Sequence, residues 1–325
     1  MITANNYTIF GIHNNAERYS WAAYHLFVLL SSLIGDTLVL YASFHDAFKL
    51  NKFIATMIHH IAISDLTYAI CDVFPGTVSL IANSWVLGDA ACYARVYISA
   101  FSYTVGMSFI AVLTTSKFLL LKYPIRSAYW TKKMAQWVCA AVIFAQVALP
   151  ITMVLLMEKE DVAFDYRTYT CTYRYTSSLW KKLTPMFAVM YLFIPNIIIV
   201  STTIPTLRYL AHARKSAQRV QGSTPWQGAL TVALTAVFYC ISTLPISVYY
   251  VGKSFVKEDV TGTFNFHLYR IAIFTTLLNI MSNFYIYTLT IRSFRKFLLS
   301  KICSVQVLQI SSRNFTSTQV RIHNT

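Results

Sequence analysis

Residues 90–126 read AACYARVYISAFSYTVGMSFIAVLTTSKFLLLKYPIR. From Val96 to Leu113 this stretch carries no charge. At about 1.5 Å per residue, such a run crosses the apolar core of a bilayer as a helix. Its ends differ in chemistry. Asp89 and Arg95 flank the Cys92 end, whereas the other end has Lys117, Lys122 and Arg126 and no acid. Basic residues gather on the cytoplasmic side of membrane helices, so the pattern predicts that Cys92 lies outside and Lys117 inside.

Working outward, six further apolar segments can be drawn, at about 21–44, 54–82, 134–157, 183–210, 227–252 and 265–290. The expected architecture is an all-α membrane protein: a seven-transmembrane helix bundle over 21–290, after an extracellular N-terminus at 1–20. Residues 291–303 follow as a short amphipathic eighth helix lying in the interface, with Phe294, Phe297, Leu298 and Ile302 on one side, and 304–325 as a cytoplasmic tail. Composition agrees. Only 12% of residues are charged and mean hydropathy is +0.51, against about a quarter charged in an average soluble domain. The net charge of +15 is explained by topology and does not call for nucleic acid. The two halves show no resemblance of the kind that inverted-repeat transporters carry.

The loops set the orientation. With the N-terminus outside, the inner segments hold sixteen bases against one acid, Asp46, while the outer segments hold eight of each. This places the chain in the plasma membrane as a multi-pass protein. Asn6-Tyr7-Thr8 is then a glycosylation acceptor on the correct side. Cys71, Cys139 and Cys240 fall inside apolar spans. Cys303 ends the amphipathic stretch, where it is a candidate for palmitoylation or a plain thiol. Only Cys92 and Cys171 face the oxidising side, and two cysteines make one bridge.

Particular residues then carry a resemblance. They are Gly35-Asp36-Thr37-Leu38-Val39 in the first segment, Ile61-Ala62-Ile63-Ser64-Asp65-Leu66 in the second, and Trp85-Val86-Leu87-Gly88 before Cys92. Ser116-Lys117-Phe118 with Tyr123-Pro124, Trp137, Pro195, Pro245, Asn283-Phe284-Tyr285-Ile286-Tyr287 and Phe294-Arg295-Lys296 follow in order. Together they resemble the rhodopsin-like (class A) family of G-protein-coupled receptors. The chain departs from that family at its switch positions. Asp36 replaces asparagine, Ser116 and Lys117 replace the acid and arginine of Asp-Arg-Tyr, Thr243 stands where tryptophan is usual, and Phe284 replaces proline.

An ionisable residue inside a span costs a few kcal/mol, which makes it a functional candidate. The resemblance implies a polar core of Asp36, Asp65, Asn279, Asn283 and Tyr287. Two buried carboxylates so placed are expected to share a proton. Sodium, the ion often held there in the family, is disfavoured because Gly106 offers no hydroxyl. No other cofactor or metal is expected. Asp72, Arg95, Ser99, Tyr103, Tyr191, Tyr250 and Arg270 are candidates to line an outward ligand pocket. An Asp72–Arg270 or Asp72–Arg95 pair that merely holds helices together is weighed equally, and Arg95 and Arg270 lie near enough to the surface to reach water. Ser99, where amine receptors carry aspartate, argues against an amine ligand, and Leu277, where opsins carry lysine, argues against retinal. Residues 162–175 alternate polar and aromatic types around Cys171, with Phe164, Tyr166, Thr168 and Thr170 on one strand face. This suggests a hairpin lid of the kind found in peptide receptors.

No hydrolase triad, metal cluster or phosphate loop is recognisable, which argues against an enzyme. The expected function is a receptor that transmits binding of an extracellular ligand, a peptide (a neuropeptide among them) or a small polar molecule, to a heterotrimeric G protein. Ser116, Lys117 and Phe118 would make the cytosolic contact. A weakly signalling or non-signalling protein of the same fold, a decoy or heteromer partner, is the alternative that Ser116-Lys117 raises.

Overall fold

The computed structural model describes residues 15–123, 125, 130–156, 162–165, 168–173, 183, 185–217, 224–255 and 262–301. Seven long helices account for most of them. They are α1 (Asn15–Phe44), α2 (Lys52–Ala82), α3 (Gly88–Lys122), α4 (Lys132–Leu156), α5 (185–217), α6 (Thr224–Phe255) and α7 (Gly262–Thr290). Each contains a segment long and apolar enough to cross a membrane. α3 is the central post. It packs against α2, α4, α5 and α6 and is among the most buried of the seven. α4 turns Trp137 and Phe144 outward, 70% and 84% exposed, as suits a face that meets lipid rather than water.

Among the described residues two helices carry wide turns, and a proline follows each. Pro75 and Pro195 have no N–H and their rings crowd the preceding turn. The residue before each one bonds five residues back rather than four: Phe74 N–H reaches Ala69 O, and Ile194 N–H reaches Val189 O. The π-helical turns Ala69–Val73 and Val189–Phe193 result. They rotate Asp72 and Tyr191 relative to an unbroken helix. Such turns recur at functional sites.

A positive φ explains one glycine and a tight contact explains another. Gly88 opens α3 at φ 81°, a backbone region that disfavours side chains, and its carbonyl accepts from Trp85 Nε1 at 2.8 Å. Gly35 lies against α7, where an added Cβ would fall 2.7 Å from Phe284 Cβ. Phe284 thus fills the space beside Gly35, and α7 runs without an internal proline.

The segment 292–301 forms α8. Phe294 is fully buried and stacks on Phe48 at 4.9 Å, and Ser293 Oγ donates to Phe48 O at 2.8 Å. Arg295 stays exposed. The amphipathic reading of this stretch therefore describes a helix docked on the turn after α1. Strands β1 (Val162–Asp165) and β2 (Thr170–Tyr173) make an antiparallel hairpin in which Phe164 pairs with Cys171. Phe164 and Thr170 lie in different strands and Thr168 lies in the turn, so they do not form the single strand face expected from alternation. Tyr166 lies outside the described residues.

Candidate functional site

Cys92 of α3 and Cys171 of β2 are joined by a disulfide, with Cα atoms 5.4 Å apart. The bridge sets the hairpin over one end of the bundle. The hairpin's turn reaches sideways. Tyr169, at φ 53°, packs with Ala22 and Leu80, and its hydroxyl donates to Asn83 Oδ1 at 2.9 Å.

Beneath the hairpin lies a cavity of about 190 Å³. Of the seven residues expected there, Asp72, Arg95, Ser99, Tyr103 and Tyr191 line it. The backbone of Tyr250 belongs to α6, but its side chain lies outside what is described. Arg270 is elsewhere. It pairs with Glu17 of α1 and stacks over Trp21, 5.3 Å from the ring centroid. The physical reason is that α1 begins at Asn15, earlier than hydropathy suggested, and brings Glu17 beside α7.

Asp72 and Arg95 are brought together. Arg95 Nη2 lies 2.7 Å from Asp72 Oδ1, with both side chains about nine-tenths buried. The other terminal nitrogen of Arg95 donates to the carbonyl of Cys171. One guanidinium thus ties α2, α3 and the hairpin together, and it does not reach toward water. Pairing and cavity lining, weighed as alternatives from sequence, coexist in the same two residues. The rest of the wall is neutral. Tyr68, Thr104, Thr170, Thr172 and Tyr269 bring polar groups, and Val96, Phe187, Ile246 and Leu277 bring apolar ones.

His25 and Thr276 also line the cavity and were not singled out from sequence. A lone histidine in the apolar run of α1 was a visible signal. Thr276 was not, because threonine is common in membrane helices.

The polar core assembles midway along the bundle. Asn283 Nδ2 donates to Asp65 Oδ2 at 2.7 Å, and Ser32 Oγ donates to Asp36 Oδ2. Asn279 and Tyr287 are buried on the same face of α7. Among the described residues, Asp36 Oδ1 and the Tyr287 hydroxyl are buried without a hydrogen-bond partner. An added Cβ on Gly106 would lie 3.3 Å from Ser64 Oγ, which donates to Ser102 O at 2.6 Å.

Where the family has tryptophan, Thr243 is fully buried. It donates to Asn196 Oδ1 at 3.0 Å, and Asn196 Nδ2 approaches Ser247 Oγ at 3.4 Å. A polar clasp between α5 and α6 stands beside Pro195 and Pro245.

At the far end of α3, Ser116 and Lys117 are buried and Phe118 is half-buried. Among the described residues no carboxylate pairs with Lys117. Asn6 and Cys303 lie outside the described residues.

The sequence pattern of the 7 transmembrane receptor (rhodopsin family) matches residues 35–287. The chain is also similar to human (Homo sapiens) cysteinyl leukotriene receptor 2, 23% identical over 141 residues. That alignment covers 43% of this chain and 40% of the relative, so it spans well under half of that receptor's length. The family comprises receptors, not enzymes. With seven spans, a disulfide-capped cavity and a pattern match running from Gly35 to Tyr287, the chain is a multi-pass membrane protein and belongs to the rhodopsin family of seven-transmembrane receptors.

Proposed function

We propose that the chain is a plasma-membrane receptor whose disulfide end faces outward, with its N-terminus extracellular. It transmits binding of a peptide or small polar ligand in the hairpin-covered cavity to a heterotrimeric G protein at the Lys117 end. The observation that carries this reading is the cavity: a largely neutral, hydroxyl-rich chamber roofed by a disulfide-anchored hairpin and floored by the bundle. The orientation is supported by the loop charges and by the bridge itself, which requires an oxidising compartment. Tyr191 and Ile246 connect the cavity to the helices that carry Pro195 and Pro245, where bending moves the Lys117 end. The polar core needs no resident sodium in this reading, since Asp36 and Asp65 each take a donor from the protein.

A second reading, a binding protein of the same fold that signals weakly or not at all, is favoured by one observation. Lys117 is buried without the acid that accompanies the family's arginine. Nucleotide exchange on purified heterotrimers separates the two. Exchange that rises when a ligand from a peptide and metabolite library is added supports the receptor. Ligand binding with no exchange on any heterotrimer supports the binding protein.

A further inference from the structure

Between the cavity and the Lys117 end, α5 and α6 are joined by the Asn196 clasp. Asn196 uses both its donor and its acceptor there. Nδ2 donates to Leu192 O at 2.9 Å and approaches Ser247 Oγ at 3.4 Å, while Oδ1 accepts from Thr243 Oγ1 at 3.0 Å. One amide therefore holds its own helix and α6 together. Thr243 and Ser247 also donate back along α6, to Tyr239 O and Thr243 O, each at 2.9 Å. They are 0% and 1% exposed. Groups so buried have no water to turn to when a partner leaves.

The backbone is interrupted at the same level. Asn196 follows Pro195, and Thr243 and Ser247 stand two residues either side of Pro245. Neither proline has an N–H, so each helix lacks a backbone bond beside the clasp. The cavity wall is interleaved with it. Leu192, whose carbonyl Asn196 holds, lies in the π-helical turn and lines the cavity with Tyr191. Ile246, between Thr243 and Ser247 in the chain, lines it from α6. A hydrogen bond between membrane helices averages about threefold in an equilibrium constant. One close bond and one long one are then worth about three- to tenfold. That biases two arrangements of α6 without forbidding either.

We infer that Asn196 is a positioning residue: through Thr243 and Ser247 it holds α6 in register with the cavity-lining turn of α5, and its release lets the inner half of α6 move away from α5. This rests on the receptor reading above and deepens it, because it names the joint that ties the cavity to the G-protein end.

The test uses the full chain in lipid nanodiscs, with no ligand added. Tyr209 of α5 and Leu234 of α6, on the Lys117 side of the clasp, are replaced by a ketone-bearing amino acid that takes a spin label. A control pair joins Phe44 of α1 to Trp137 of α4, and all four positions are exposed. Double electron–electron resonance gives the distance distribution of each pair. Thr243→Val, which keeps the shape and removes the hydroxyl, should broaden the α5–α6 distribution toward longer distances, and so should Asn196→Leu. Thr243→Ser, which keeps the hydroxyl, should match the wild type. Adding Thr243→Val to Asn196→Leu should change nothing further, since the two share one bond. An α5–α6 distribution unchanged in both single variants overturns the inference. Equal broadening in Thr243→Ser or in the control pair overturns it too, because either reports loosening unrelated to the clasp. Basal nucleotide exchange on a heterotrimer is read from the same samples. A rise of about threefold in Thr243→Val but not in Thr243→Ser is expected. Broadening with no exchange in any variant sinks the signalling reading and leaves the role of Asn196 standing.

Discussion

The two ends of the bundle are held by different physics. At the disulfide end a covalent bridge, a buried ion pair and a backbone carbonyl converge within a few residues of α2, α3 and β2. At the Lys117 end, ion pairs are absent among the described residues, and neutral contacts carry the load. Phe48 stacks on Phe294, and Thr231 Oγ1 donates to Thr290 Oγ1 at 2.8 Å. Losing one partner of a buried charge pair strands the other at large cost, whereas losing one neutral contact costs less. The difference places charge-dependent cohesion at the cavity and charge-free packing at the opposite end.

The largest effect should come from the bridge. Cys92→Ser opens a loop whose ends are 79 residues apart, worth up to about 4 kcal/mol in chain entropy. A lower melting temperature and reduced surface expression are expected, and Cys171→Ser should match it. An unchanged melting temperature would show that the hairpin is held by packing alone. Next comes the ion pair. Arg95→Ala strands a buried Asp72 and should cost about 3 kcal/mol, while the apolar pair Arg95→Met with Asp72→Leu should cost much less. If the double variant is as damaged as the single, the pair's value lies in the carbonyl of Cys171 and not in charge.

Midway between the ends, Gly35→Ala places a methyl group against Phe284 and should cost about 2 kcal/mol by overpacking. Gly35→Ala with Phe284→Ala should recover most of it. Failure to recover would mean that Gly35 is required for backbone reasons. The smallest effect is expected for Asp36→Asn. The amide oxygen still accepts from Ser32, and the unpartnered oxygen is replaced by a neutral group, so stability should change by less than about 1 kcal/mol. Loss of surface expression in Asp36→Asn would show that its charge is needed.

Much of this was legible in the chain because membranes simplify the grammar. A run such as Val96 to Leu113 has one stable form in lipid, and loop charge orders the runs. Cys92 and Cys171 could be paired because every other cysteine fell elsewhere. The π turns before Pro75 and Pro195 were not legible, since proline announces a lost bond but not whether the helix kinks or widens. The partner of Arg270 was missed because Glu17 seemed to lie in a tail. Thr243 showed only as an absence of tryptophan, and its bond to Asn196 depends on how α5 and α6 face one another.

The comparison between the two ends is tested most directly by basal nucleotide exchange, measured for the purified wild type and for Ser116→Asp at equal receptor concentration. In the family this acid pairs with the adjacent base and holds the resting state, so restoring it beside Lys117 should lower basal exchange. Lys117→Arg, which brings a flat multi-donor fork, should raise the ligand-stimulated signal. Basal exchange that is present in the wild type and falls in Ser116→Asp is the predicted result. Exchange that is unchanged or raised by the added acid would contradict the account, because it would show that the Lys117 end is already restrained by something other than a missing charge.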